Sequence, residues 1–151
     1  MYNGTIIANK FVDLSIKEKS YFTHMKLQKL IYIANGINLA INNQPLINEH
    51  FEAWPYGPVV SSVYHTYKFF GNSNITINAF GNYISEIDLD EKSNQSFNDA
   101  WKIAKTITAI KLSNWTHIEG SPWFLAKKEK LEVIPDKYMQ DYFKDFLVKK
   151  P

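Results

Sequence analysis

The sequence predicts a mainly helical α+β fold, one compact domain over residues 1–151 built round a buried central helix, 23–43, with a small antiparallel β element. Three observations lead there. The stretch THMKLQKLIYIANGINLAINN is apolar around most of a helical circumference, and such a helix is normally covered by neighbours on several sides. Amphipathic segments of helical period stand on both sides of it. Between them lies a segment rich in proline and aromatic residues, in which His50–Trp54 reads as a short strand.

Taken in order, Thr5–Lys19 forms a first amphipathic helix. Ile7, Phe11, Val12 and Leu14 face the core, and Lys10, Asp13, Lys17 and Glu18 face out. In the central helix Thr23 is placed to cap the start. Leu27, Leu30, Ile31, Ala34, Ile37 and Ile41 form one apolar stripe; Met25, Tyr32, Gly36 and Leu39 form a second. His24, Gln28, Asn35 and Asn42 make the one continuous polar line, and Asn-Asn-Gln-Pro ends the helix. A third helix, 58–70, opens with Pro58 at its first position and stops at Gly71. Its buried face holds Val59 or Val60 with Val63, Tyr64, Tyr67 and Phe70. Residues 72–91 read as a β-hairpin with its turn at Gly81-Asn82. Ser93 or Ser96 then caps a helix carrying Phe97, Ala100, Trp101, Ala104 and Ile107, which extends to Ile110. Shorter helical pieces follow at Leu112–Ile118 and Pro122–Glu129. Pro135 opens a last helix lined by Tyr138, Tyr142, Phe143 and Phe146.

The composition limits the function classes. All 17 basic residues are lysine and the net charge is +2. Without arginine the chain lacks the guanidinium fork that reads guanine edges and clamps phosphate. Its lysines are scattered among acids, so no basic stripe marks a nucleic-acid surface. The frequent Lys, Ile and Asn suit an A+T-rich bacterial or phage genome. There is no cysteine, hence no disulfide and no thiolate chemistry, which fits a reducing cytoplasm. No apolar run approaches a membrane span and the N-terminal stretch is not of signal-peptide type, so a cytoplasmic protein without a membrane partner is expected.

Candidate chemistry is sparse. His24, His50, His65 and His117 show no tight metal-ligand spacing, and the lone pair His117–Glu119 is one that a short turn produces by chance. Ser61, Ser62 and His65 put hydroxyls and an imidazole one helical turn apart, with no orienting acid and no oxyanion hole in sight. There is no glycine-rich phosphate loop and no nucleophile elbow. No catalytic residue, metal or cofactor is expected. An enzyme would have to draw together His117, Glu119, His65 and Glu52; a regulator of nucleic acid would have to assemble a lysine stripe by folding. Lys26 and Lys29 project against the apolar stripes. Either their stems pack while the ammonium groups reach water, or one of them pairs with an acid such as Glu52 or offers its charge to a partner.

The most peculiar segment is FEAWPYGPVV, where Trp54, Tyr56 and two prolines fall within five residues. Two readings stand: the rings merely cap the core, or they form a recognition surface, for which a rigid aromatic loop beside a helix start is well suited because little conformational freedom is lost on contact. Partner contacts are expected from Trp54, Tyr56 and Pro58, and from Ser61, Ser62 and His65 on the exposed flank of the next helix.

The same residues carry a resemblance. The run Lys26–Ala34, KLQKLIYIA, is followed by Pro45-Leu46, then by Glu52–Tyr64, EAWPYGPVVSSVY, and later by Thr116-His117 and Pro122-Trp123. This order of motifs resembles the Panacea antitoxin domain family, which includes phage-associated, GepA-like and SocA-like antitoxins. The resemblance covers nearly the whole chain. Ile33 departs from the second tyrosine of the family's usual pair, and 72–96 aligns with no family motif. It implies a small, mainly helical antitoxin of a toxin–antitoxin pair that neutralises a cognate protein toxin by direct binding. The alternative it implies is an adaptor that delivers the toxin to a cellular protease. It brings no catalytic residues. The motif positions Lys26, Leu27, Gln28, Lys29, Leu30, Tyr32, Glu52, Gly57, Tyr64, His117, Pro122 and Trp123 are expected to serve folding.

Overall fold

Helix α2, His24–Asn42, is the hub. The computed structural model describes residues 1–79 and 87–149. In it α2 packs most extensively against α4 (Glu91–Ala104) and α7 (Asp136–Lys149), then against α1 (Gly4–Glu18), α5 (Ala109–Thr116) and α3 (Ser61–Tyr67). The apolar circumference leads to an expectation of contact with the first helix, the 58–70 helix and a C-terminal helix, and all three contacts form. The large contact with α4 does not appear in it, because α4 reaches α2 from some sixty residues away. Leu27, Leu30, Ile31, Tyr32, Ala34 and Ile37 are fully buried. At Gly36 a Cβ would lie 2.2 Å from the Phe143 ring, so only hydrogen fits where α7 crosses α2.

His24, Gln28 and Asn35 of the polar line are buried too, as is Asn38, while Asn42 is half-buried; these groups stitch neighbours to the helix. Asn35 Oδ1 accepts the backbone N–H groups of Leu46 at 2.8 Å and Ile47 at 3.3 Å, fixing the returning chain. Asn38 Nδ2 donates to Gln44 O, and its Oδ1 accepts from Ser96 on α4. Buried polar groups are tolerable on these terms, each with a partner. Thr23 does stand at the cap position, but its hydroxyl makes no capping bond. Asn43, in the left-handed region with φ 58°, ends the helix.

Strands β1 (Phe51–Trp54), β2 (Gly57–Val59) and β3 (Val133–Ile134) form an antiparallel sheet of order β2-β1-β3. This corrects the expectation for Pro58. It opens no helix: it lies buried in β2 opposite Ala53, and α3 begins three residues later at Ser61. Proline fits there because β2 is an edge strand, where a missing N–H costs no ladder bond. After α3 a 3₁₀ turn, Lys68–Phe70, runs to Gly71.

Of the hairpin expected in 72–91, the Gly81-Asn82 turn and most of the following run lie outside the described residues. Among the described ones, Ile75 and Ile77 belong to no strand; Asn74 forms an isolated bridge with Thr23, and the Ile75 N–H donates to Phe22 O. The α4 cap is Asp90, neither Ser93 nor Ser96. Its carboxylate accepts both the N–H and the hydroxyl of Ser93, which is the third residue of a helix that starts at Glu91, and the positive helix start favours the anion. Its pKa is accordingly pulled down to about 2 by the bonds to Ser93 and then by that from Tyr2. Nor does α4 reach Ile110. It ends at Ala104, and Thr108 caps α5 by accepting the Lys111 N–H. Ser121 caps α6 (Pro122–Lys128), with the buried Pro122 in its first turn. Among the described residues, no helix is long and apolar enough to cross a membrane.

A candidate partner-binding cleft

Three consecutive carbonyls, those of Trp54, Pro55 and Tyr56, each accept a hydrogen bond from a side chain distant in sequence. Trp123 Nε1 on α6 donates to Trp54 O at 2.6 Å. His117 Nε2, just past α5, donates to Pro55 O at 2.9 Å while its ring packs on Trp123. Lys29 Nζ on α2 donates to Tyr56 O at 2.9 Å, and Ser113 Oγ reaches the same oxygen at 3.3 Å. The β1–β2 turn is thereby pinned from three helices. Gly57, with φ 113°, turns the chain, and a Cβ there would come within 3.0 Å of Lys29 Nζ and 2.9 Å of Thr116 Oγ1.

Of the alternatives open for Lys26 and Lys29, a pairing with Glu52 does not form, and the Lys29 ammonium does not reach water either. Glu52 Oε1 accepts instead from Trp54 Nε1, and Lys29 is buried at 1% exposure without a carboxylate in reach among the described residues. Burial pushes its pKa down to about 8. Lys26 is used differently: its stem is half-buried and its ammonium donates to Lys105 O, tying α2 to the end of α4.

Beside the turn opens a cleft of about 600 Å³, within the usual range for ligand sites. Its walls come from the start of α2 (His24, Met25, Gln28, Lys29), the hairpin (Trp54, Tyr56), α3 (Tyr64) and the start of α5 (Ala109, Ile110). Tyr64 stands between the rings of Trp54 and His24, at 4.8 and 5.5 Å. Tyr56 and Ile110 are each 69% exposed at the rim.

Gln28 organises the inner wall. Its Oε1 accepts the Val60 N–H at 2.9 Å, which leaves Nε2 facing His24 Nε2 at 3.0 Å. An amide N–H can only donate, so His24 Nε2 accepts and the ring is neutral. Burial first, then the Lys29 charge, pull the His24 pKa down to about 4. Between that value and about 6.5 the unfolded chain binds a proton that the folded chain refuses. Stability therefore falls as pH drops through this window. We expect about 2 kcal/mol of acid sensitivity between pH 6.5 and 4 that His24→Gln lacks, since glutamine keeps an acceptor for Gln28. Urea midpoints across that range measure it; equal slopes for both proteins would refute the assignment.

The residues expected to touch a partner divide. Trp54 and Tyr56 line the cleft. Pro58 is buried beneath the turn, and His65 is exposed against the Tyr64 ring. Ser62 lies on another side, its hydroxyl donating to Glu49, which also accepts the Gly4 N–H at the start of α1; Ser61 is half-buried. Reading the sequence alone missed Met25, Lys68, Thr108 and Ile110 as cleft residues. A lone Ile at an exposed helix start was the only local signal, and what it faces is decided by packing over some fifty residues.

The motif positions Lys29, Gly57, His117 and Trp123 thus meet at one turn. The chain is 27% identical to antitoxin SocA of Caulobacter vibrioides over 124 residues, covering 78% of this chain and 66% of that protein, just under two thirds of its length. No solved structure matches. The profile of antitoxin SocA-like proteins with a Panacea domain matches residues 27–124, from α2 to α6 and with every residue that holds the turn. This chain belongs to that family.

Proposed function

We propose that this protein is the antitoxin of a toxin–antitoxin pair and neutralises its toxin stoichiometrically by direct binding through the 54–58 turn and the cleft beside it. Family membership carries the antitoxin role. The pinned turn supports the mechanism, because a surface ordered before contact loses little entropy on binding. The exposed rings and aliphatic groups at the rim supply the apolar anchors that a nearly neutral domain needs. His65 borders this surface; Pro58 supports it from beneath.

The test is co-expression with the product of the neighbouring gene. Tyr56→Ser with Ile110→Ser removes two exposed apolar groups and is expected to leave the thermal melt unchanged while weakening toxin capture at least tenfold and abolishing growth rescue. If the folded double variant captures and rescues as the parent does, the surface lies elsewhere. If the toxin is degraded, and growth rescued, only when a cellular protease is active, an adaptor mechanism replaces direct neutralisation.

A further inference from the structure

Charge is distributed unevenly around the cleft. Lys29 lines it from α2 and Lys68 from the end of α3, and none of the described residues lining it is acidic. A lysine at 1% exposure has lost its hydration, and a single carbonyl, Tyr56 O, is the only hydrogen-bond acceptor shown for its three N–H donors among the described residues. A buried charge in this state is costly unless an anion meets it. The methylene stem and the neighbouring Trp54, Tyr64 and Met25 make the surroundings apolar, which strengthens any ion pair formed there.

We propose that the cleft receives an acidic side chain of the protein partner: binding shifts the exposed Tyr56 side chain, an Asp or Glu carboxylate then reaches the otherwise covered ammonium of Lys29, and an apolar residue beside it in the partner packs on Trp54, Tyr56 and Ile110. This deepens the reading above and rests on it. The exposed rim favours a protein occupant, since a small molecule held inside the cleft would leave Tyr56 and Ile110 still in water. It also gives the turn a second role. Tyr56 O holds the ammonium in place, Gly57 makes room for it, and the paired carboxylate completes its hydrogen bonds.

The first experiment uses protein with ¹³Cε-labelled lysine and the blocked peptide acetyl-Gly-Leu-Glu-Leu-Gly-amide, with its Gln counterpart and 3-phenylpropionate as comparisons. The Glu peptide is expected to shift the Lys29 signal and raise its titration midpoint from about 8, and to bind at least fivefold more weakly at pH 9.5 than at pH 7. His24, Tyr56, Tyr64, Lys68 and the nearby His117 are the other titratable groups facing the site; following Lys29 directly separates it from them. No Lys29 shift at millimolar peptide, or equal shifts with the Gln peptide, overturns the proposal. Tighter binding of 3-phenylpropionate than of the peptide overturns it in favour of a small-molecule carboxylate site. The second experiment is toxin capture by Lys29→Met, whose apolar stem suits the buried position. A folded variant is expected to capture at least tenfold less toxin, and parental capture overturns the proposal. If the parent captures no toxin at all while the Glu peptide still binds Lys29, the antitoxin mechanism fails and the carboxylate site stands.

Discussion

Leu30→Ala and Ile37→Ala are each expected to destabilise the protein by about 2–5 kcal/mol, lowering the thermal midpoint by roughly 5–15 °C. Both side chains are fully buried in α2. Truncation removes three methyl or methylene groups from water-free surroundings and leaves a void that the neighbours fill only in part. Collapse is hard here because α2 is enclosed by helices on several sides and by the sheet. Tyr32, Trp115, Phe143 and Phe146 form a contacting set of rings along the side facing α7, with centroid separations of 5.4 to 6.0 Å. Rigid rings of this kind do not flow into a gap. Ile41 is the internal control: it continues the same apolar stripe yet is 57% exposed, so Ile41→Ala should move the midpoint by little. A melt that barely changes for both core variants would remove α2 from the centre of the fold.

That stripe also shows how much of the fold was legible. Periodicity located α1, α2 and α7 to within a residue or two, because a helix buried on a known face writes its environment into every third or fourth position, and the Gly120-Ser121-Pro122 break placed α6 as closely. It failed where tertiary pairing outranked a local signal. Pro58 carries the mark of a helix start, but Gly57–Val59 are taken by β1 as its antiparallel partner. Asp90 and Thr108 cap helices whose ends the apolar pattern left open. The site was legible as a cluster of motifs and not as a geometry. Lys29 projects like a lysine that snorkels; its ammonium is buried because a turn 27 residues later lies over it. Similarly, nothing near His117 or Trp123 says that their ring nitrogens hold the carbonyls of Pro55 and Trp54.

Gly57→Ala should have the largest effect of any one-carbon change at the turn beside the cleft, costing about 2–4 kcal/mol and weakening toxin capture at least tenfold. Two causes add. With φ 113°, Gly57 sits in backbone territory that an L side chain rarely adopts. The new Cβ would also meet Thr116 Oγ1 at 2.9 Å and Lys29 Nζ and Cε at 3.0 and 3.1 Å. Neither neighbour is free to retreat: the Thr116 hydroxyl donates to Ser113 O at 2.7 Å and Lys29 donates to Tyr56 O. Gly120→Ala separates the two causes, since Gly120 has φ 85° but open space where a Cβ would stand. It should show backbone strain alone, with capture intact. Combining Gly57→Ala with Lys29→Ala removes one side of the clash, so the pair should destabilise by less than the sum of the single changes, a coupling expected only for groups in contact. If Gly57→Ala melts like Gly120→Ala and the two changes simply add, the turn does not rest on Lys29. The pinned geometry from which the cleft was read would then be wrong.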